Sequence, residues 1–189
     1  DPFLSARVPD HQRAQYNPLD DLDPDGLTIK EDIQAIADGI VMRPDPNASH
    51  WDDGAMAIIS GLIGYVKTCA PDAKKNLLEV RRILADEDAL ADAMNEMKNI
   101  RDCAGVCLDA YAAIKAQEGG YFVSNAKKNT LWIDSKGMAN ALSKSTFSLS
   151  ELKSGRASVF LVLPANYLGQ HGRFLRLFVR SAIEAMSRK

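Results

Sequence analysis

The stretch that decides the fold is ASHWDDGAMAIISGLIGYV, residues 48–66. A helix opens at Ser49 or His50, and Ala55, Ile58, Ile59, Leu62, Ile63 and Val66 recur on its buried side before Pro71 ends it. The apolar run from Ala55 to Val66 is 12 residues long, too short to cross a bilayer and suited to a buried helix. A buried helix needs other elements to cover it, and the rest of the chain supplies helical patterns on both sides of it.

Upstream, Thr28-x-x-Glu31 has the form of a capping box, and Ile29, Ile33, Ile36, Ala37 and Ile40 follow at helical spacing until Pro44 and Pro46. Downstream, Asn76 is a suitable N-cap for a short helix carrying Leu77, Val80, Ile83 and Leu84. Residues 87–97 predict a further helix with Leu90, Met94 and Met97 inward. Residues 99–117 predict a longer one with Ile100, Ala104, Cys107, Leu108, Tyr111 and Ile114 inward, closed by Gly119-Gly120. Two more, 121–133 and 135–143, turn Leu131, Trp132, Met138 and Leu142 to the core. Residues 27–143 thus read as an all-α domain of about seven helices.

The flanks differ. Residues 1–26 carry prolines at 2, 9, 18 and 24 and read as extended or looped. In 144–189, Ser148-x-x-Glu151 caps one turn and Gly155 breaks it. ASVFLVLP (157–164) then reads as a strand over 157–163 buried on both faces. Residues 173–187 read as a helix whose apolar positions, Phe174, Leu175, Leu177, Phe178, Val179, Ala182, Ile183 and Met186, cover more than one face. One buried strand and one greasy helix form an α/β unit without its sheet. The expectation is that the helix folds back on 27–143 or joins two copies, since an uncovered strand edge invites pairing. The fold class is mainly α, with a short strand and a helix left over from an α/β domain.

Composition excludes several classes. No basic and apolar leader precedes the domain, and the chain opens on Asp1 rather than Met, so a processed or excised piece is expected. Three cysteines, Cys69, Cys103 and Cys107, give no disulfide pattern, which points to a reducing cytoplasm. The net charge of −2 hides an asymmetry. Residues 1–55 hold 12 acids and 4 bases, and residues 115–189 hold 4 acids and 12 bases. Either the two ends attract each other, or one meets a basic partner or nucleic acid.

Candidate sites follow from spacing. Asp21, Asp23, Asp25, Gly26 and Asp32 match several positions of a calcium loop. Asp32 is a short twelfth ligand, however, Thr28 replaces an apolar residue, and Pro18 and Pro24 disturb the entering helix. An acidic turn at a helix N-terminus is the better reading. Ser124-x-x-Lys127 with Lys153-Ser154-Gly155 imitates the elements of penicillin-binding enzymes but lacks the sheet between them. Cys103 and Cys107 read as small core thiols, because His11, His50 and His171 have no ligand spacing to them. His50-Trp51 reads as a packed aromatic pair. No phosphate-binding Gly-x-x-x-x-Gly-Lys-Ser/Thr and no Gly-x-Gly-x-x-Gly occurs, and no apolar strand ends in paired acids. No catalytic, cofactor-binding or metal-binding residue is therefore assigned.

Two surface sets remain. Asp86, Glu87, Asp88, Asp92 and Glu96, helped by Asp52 and Asp53, form a candidate docking face for a basic peptide. Lys127, Lys128, Lys136 and Lys144 form an alternative contact for DNA phosphates.

YNPLDDL (16–22), ASHWDDGAMAIISGLIGYV (48–66), NLLEVRRIL (76–84), STFSLSELKSGRASVFLVLP (145–164) and RFLRLFVRSAIEAM (173–186), in this order, resemble the coupling-protein ATPases of type IV secretion systems, the TraG/TraD-like conjugation motors. The resemblance implies a RecA-like nucleotide-binding domain interrupted, between its Walker A and Walker B elements, by an all-α domain. Residues 1–26 and 144–189 would then be RecA-derived flanks, and 20–32 the hinge into the all-α domain, with no calcium site. It further implies that 27–143 recruits secreted effectors or a relaxase–DNA complex, directly or through adaptors. The full-length protein would use ATP and Mg²⁺ as a hexameric ring at the cytoplasmic face of the inner membrane. This segment itself would be no enzyme and would touch no membrane.

Overall fold

A computed structural model of the chain describes residues 1–43, 49–100, 103–155 and 157–187. Its regular elements are helices: α1 (Ile29–Ile40), α2 (Ser49–Cys69), α3 (Leu77–Ala85), α4 (Glu87–Met97), α5 (Val106–Lys115), α6 (Gly119–Thr130), α7 (Lys136–Leu142), α8 (Ser150–Lys153) and α9 (Leu168–Ser187). Single 3-10 turns, such as Pro18–Asp21 and Leu131–Asp134, join some of them. Among the described residues none of these helices is long and apolar enough to cross a membrane.

The predicted buried helix is buried, and it forms the centre of the fold. Ala55, Ile58, Ile59, Leu62, Ile63 and Val66 of α2 are fully buried, and α1, α3, α5 and α6 pack around it. Each of the larger side chains, from Ile58 to Val66, contributes about 1.5–3 kcal/mol by leaving water. The approach of α5 is the closest. A Cβ at Gly61 would lie 2.1 Å from Ala110 Cβ and 2.8 Å from the Val106 carbonyl oxygen, so only glycine fits there.

Local chemistry sets the other boundaries. The Asn76 side chain accepts the N–H groups of Leu78 and Glu79 at 3.1 and 3.2 Å, which starts α3 as expected. Asp86 ends α3 and begins α4, its carboxylate accepting the N–H groups of Asp88 and Ala89. The capping box at Thr28 does not form, because the Thr28 hydroxyl donates to Asp32 instead, at 3.0 Å. At Ser148 half a box forms: the backbone N–H donates to Glu151 Oε1 at 3.2 Å.

Several expectations need correction. The predicted 99–117 helix is interrupted, with Cys103 at φ +56° and Gly105 at φ +81°, so α5 starts only at Val106. A left-handed residue cannot continue a right-handed helix. Gly119 opens α6 rather than closing α5. A Cβ there would meet the Ile114 carbonyl oxygen at 2.0 Å, so glycine permits the tight return. Leu108 and Leu131, expected inside, are 45% and 57% exposed. Pro44 and Pro46, and the side chain of Ala104, lie outside the described residues.

The predicted strand is the main correction. Residues 157–164 have no regular structure, and the described residues form no strand. A ladder needs a neighbour to exchange N–H and C=O bonds with, and among the described residues no backbone bond ties 157–163 to another segment. The segment instead packs by one side: Val159, Leu161 and Leu163 rest against buried clusters while Phe160 is 84% exposed.

The flanks meet each other. Residues 15–17 run beside 140–146, with Tyr16 N–H donating to the Ala141 carbonyl and Thr146 N–H to the Gln15 carbonyl. Tyr16, Leu149, Phe178 and Ala182 form a small second core there. Helix α9 begins at Leu168 rather than at 173 and folds back on α1, as expected of it. Leu177 lies over Gly39, and Arg176 and Arg180 both pair with Asp38, at 3.1 and 2.6 Å. Its other face leaves Val179, Ile183 and Met186 exposed.

The helix crossing gives a direct test. Gly61→Ala is expected to destabilise the fold by about 2 kcal/mol, overpacking outweighing the gain in helix propensity. Gly172→Ala, where no atom lies within 4 Å of the added carbon, is expected to stabilise it by up to about 1 kcal/mol. Thermal unfolding of the two variants measures both. A Gly61→Ala midpoint at or above that of the parent would refute the close crossing.

Candidate protein-docking site

Helix α4 turns back along α3 beside the C-terminal end of α2, and the three leave a cleft of about 470 Å³. Its lining includes Asp86, Asp88, Asp92 and Glu96 from the predicted acidic set, together with Tyr65, Lys74, Glu79 and Arg82. Five carboxylates thus face two basic groups. The spacing on α4 explains the convergence, since residues 88, 92 and 96 follow one another at four-residue steps on one helix face.

The carboxylates differ in how they are used. Arg82 donates to both Glu79 oxygens at 2.9 and 2.7 Å, which holds the Glu79 carboxyl below its usual range and the Arg82 guanidinium above its own. Asp86 is occupied by the α4 N-terminus. Glu96 accepts the Tyr65 hydroxyl at 3.0 Å. Asp88 and Asp92 are exposed and take no side-chain hydrogen bond or ion pair from the described residues. The cleft therefore presents two uncommitted negative charges and one uncommitted ammonium, that of exposed Lys74, beside the fixed Glu79–Arg82 and Glu96–Tyr65 pairs.

The other predicted residues lie elsewhere. Glu87 is exposed but outside the cleft lining. Asp52 and Asp53 sit in the first turns of α2, and the helical rise puts Tyr65 roughly 18 Å further along the axis. The structure does not join them to the α4 set. Asp52 is buried and accepts the Asn125 amide at 2.9 Å, and Asp53 pairs with Arg43 at 2.8 Å. The four lysines divide among three places: Lys127 and Lys128 in the last turn of α6, Lys136 at the start of α7, and Lys144 beyond it. Lys127 is half-buried and the other three are exposed.

The calcium-like loop uses its acids locally. Asp21 accepts the Tyr16 hydroxyl at 2.7 Å, Asp23 the Asp25 N–H at 3.1 Å, and Asp32 the Thr28 hydroxyl. Among the described residues no three His, Cys, Asp or Glu side chains gather to hold a metal. Cys103 and Cys107 are buried against the Gly64 and Gly61 carbonyls. His50 stacks edge-on with Trp51 and Phe122, as its reading as a packed aromatic required, and bonds Glu118 at 2.6 Å.

Tyr65, Lys74, Glu79 and Arg82 escaped the sequence reading. Tyr65 follows Ile58 by seven residues, at the margin of the buried stripe. Glu79 and Arg82 are spaced to pair across a helix turn, which was the signal available.

The sequence profile of the family described as type IV secretory system conjugative DNA transfer matches residues 5–189. The chain belongs to that family. It is similar to a probable conjugal transfer protein TraG of Sinorhizobium fredii, at 26% identity over 97% of this chain and 30% of that protein. It is likewise similar to the type IV secretion system-coupling protein VirD4 of Bartonella quintana, at 25% identity over 74% of this chain and 23% of that protein. The chain thus spans less than a third of the length of these relatives. No solved structure matches it. As a segment of the coupling-protein family, it carries the acidic cleft on α2, α3 and α4.

The cleft has a titration signature. Partial burial, followed by the hydrogen bond to Glu96 and the charges of Glu96 and Asp92, pushes the Tyr65 phenol up to about 12. Its neutral form stabilises the fold fully below pH 10, the ordinary phenol value, and that contribution is lost as pH rises from 10 towards 12. Glu96→Ala is expected to lower the Tyr65 pKa while leaving it above 10, because burial remains. A ¹³Cζ titration of Tyr65 checks this, and an unchanged value would remove Glu96 as its partner.

Proposed function

We propose that this chain is the substrate-recruitment segment of a type IV secretion coupling protein. Secretion signals of effector proteins or of a relaxase, or adaptors carrying them, dock on the helical body and are passed to the secretion channel. The observation that carries this reading is the cleft between α2, α3 and α4, in which Asp88 and Asp92 are exposed and unpaired. Unpaired carboxylates on a concave surface attract basic segments and fix their orientation. Fixed side chains around them limit the ordering that binding requires.

The domain reading goes with it. Residues 27–143 are the recruiting body, and 1–26 and 144–189 are flanks of a RecA-like motor. Nucleotide chemistry belongs to parts of the protein beyond this segment, with ATP, Mg²⁺ and a hexameric ring at the cytoplasmic face of the inner membrane. The apolar 157–164 segment, which has no regular structure here, and the exposed Phe160 support this, since an apolar, partly β-branched run without a ladder suits a strand that finds its neighbours in a larger sheet.

The family's description as conjugative DNA transfer favours a second reading, in which Lys127, Lys128, Lys136 and Lys144 contact DNA. One experiment separates the two. Labelled DNA and C-terminal peptides of candidate secreted proteins are titrated side by side across a salt series. Asp88→Lys with Asp92→Lys is expected to weaken peptide binding about tenfold or more, with DNA binding absent or unaffected. Steeply salt-dependent DNA binding, lost with Lys127→Glu and Lys128→Glu and unaccompanied by peptide binding, would overturn recruitment in favour of DNA contact.

A further inference from the structure

A second cleft lies on another side of the body, between α1, α2 and α5. It measures about 290 Å³ and is lined by Gln34, Arg43, Asp53, Met56, Ser60 and Asp109, among others. Its chemistry is unusual for a fold whose other buried polar side chains are mostly bonded. Ser60 is only 4% exposed, and its hydroxyl has no hydrogen-bond partner. A buried hydroxyl without a partner is costly to keep, and such groups are generally satisfied by something. Asp109 and the Gln34 amide also line the cleft and take no hydrogen bond or ion pair from the described residues.

The charges select the ligand. Arg43 lies 2.8 Å from Asp53 and so cancels it, and its other contact is the Met56 sulfur at 3.1 Å. Asp109 is left as an exposed, uncompensated carboxylate beside an unpaired hydroxyl and an unpaired amide oxygen. That set accepts hydrogen bonds and carries negative charge, while Met56, Ala57 and Val106 supply an apolar wall for an aliphatic stem. The fit is to a guanidinium. It carries several donors in one plane, enough to meet a carboxylate by two bonds and still reach a neighbouring acceptor.

We infer that the α1–α2–α5 cleft binds an arginine side chain of a docked protein, with Asp109 taking the guanidinium and Ser60 and Gln34 accepting its remaining donors. The identification of that protein as a secreted substrate rests on the recruitment reading above; the arginine site itself does not. Its position is set by the tight helix crossing, since Ser60 precedes Gly61 on α2 and Asp109 precedes Ala110 on α5, the two residues in closest approach. The site is separate from the α4 cleft. It gives Asp53, predicted as a docking residue, a place in a different surface.

The test uses the whole 189-residue chain. N-acetyl-Gly-Arg-Gly amide is titrated into the isotopically labelled protein, with the neutral citrulline tripeptide as control. The expected result is saturable amide shifts confined to residues near 34, 56–60 and 106–109, at least fivefold weaker binding by Asp109→Asn, and no such shifts with citrulline. Asp109 is exposed, so its variant keeps the fold. Ser60→Ala is expected to weaken the arginine peptide as well while leaving thermal stability unchanged or higher, an outcome that mere packing damage would not give. Equal binding of citrulline, unchanged binding by Asp109→Asn, or shifts only around 86–96 would each overturn the site. Secreted-protein peptides that bind the parent and Asp109→Asn equally, while the tripeptide binds neither, would sink this inference and leave recruitment standing. Tripeptide binding at the cleft with no secreted peptide bound would do the reverse.

Discussion

The fold depends on how closely α5 can approach α2. Gly61 removes the side chain at the crossing, and Ala110 supplies a small partner. That contact places Cys107 against the Gly61 carbonyl and Cys103 against that of Gly64. A larger residue at the crossing would lift α5 from the aliphatic stripe of α2 and expose Val106, Cys107 and Ala110, all now buried. The left-handed residues at 103 and 105 belong to the same constraint. They turn the chain so that α5 begins in register with the glycines rather than continuing a helix begun before it.

The flanks are held by a different balance. Helix α9 lies on α1 through Leu177 over Gly39, an apolar contact of about 2 kcal/mol, and through two arginines on Asp38. Those ion pairs are partly exposed and are worth less than about 1 kcal/mol each. Only one side of α9 is satisfied in this way. Val179, Ile183 and Met186 remain in water, so the helix is oriented by the contacts it has rather than enclosed by them. The irregular 157–164 segment is in the same condition, packed through Val159 and Leu161 with Phe160 outward.

Helix existence was legible because burial follows period: the stripe in α2 and the cap at Asn76 are local signals that packing did not override. The interruption before α5 was not legible. A chain reading CAGVC has helical spacing on both sides of Gly105, and only the tertiary contact with α2 requires the turn. The strand over 157–163 failed for the opposite reason. Its apolar pattern describes a buried strand well, yet a ladder is a property of two segments, and sequence can name only one. Half of the candidate site was readable for a similar reason. Asp88, Asp92 and Glu96 share a helix face by spacing alone, whereas Tyr65 and Glu79 join them only through the packing of α2 and α3. Asp52 and Asp53 resembled the others in charge but lie at the far end of α2.

The charge asymmetry of the sequence resolves into used and unused groups. The acidic first part meets the basic last part where Asp38 holds Arg176 and Arg180, and Lys67 from the middle of the chain donates to the Leu19 carbonyl beside the acids of 20–23. Attraction between the ends therefore accounts for part of the pattern. It does not reach α4, where Asp88 and Asp92 have no basic neighbour committed to them, nor Asp109 on α5. Charges spent on folding are fixed by partners within the chain. Those left over repel one another and raise the free energy of the isolated protein until something positive arrives. On this molecule part of the leftover negative charge, at Asp88, Asp92 and Asp109, lies on two concave helical surfaces, where an incoming chain can be held by shape as well as by charge.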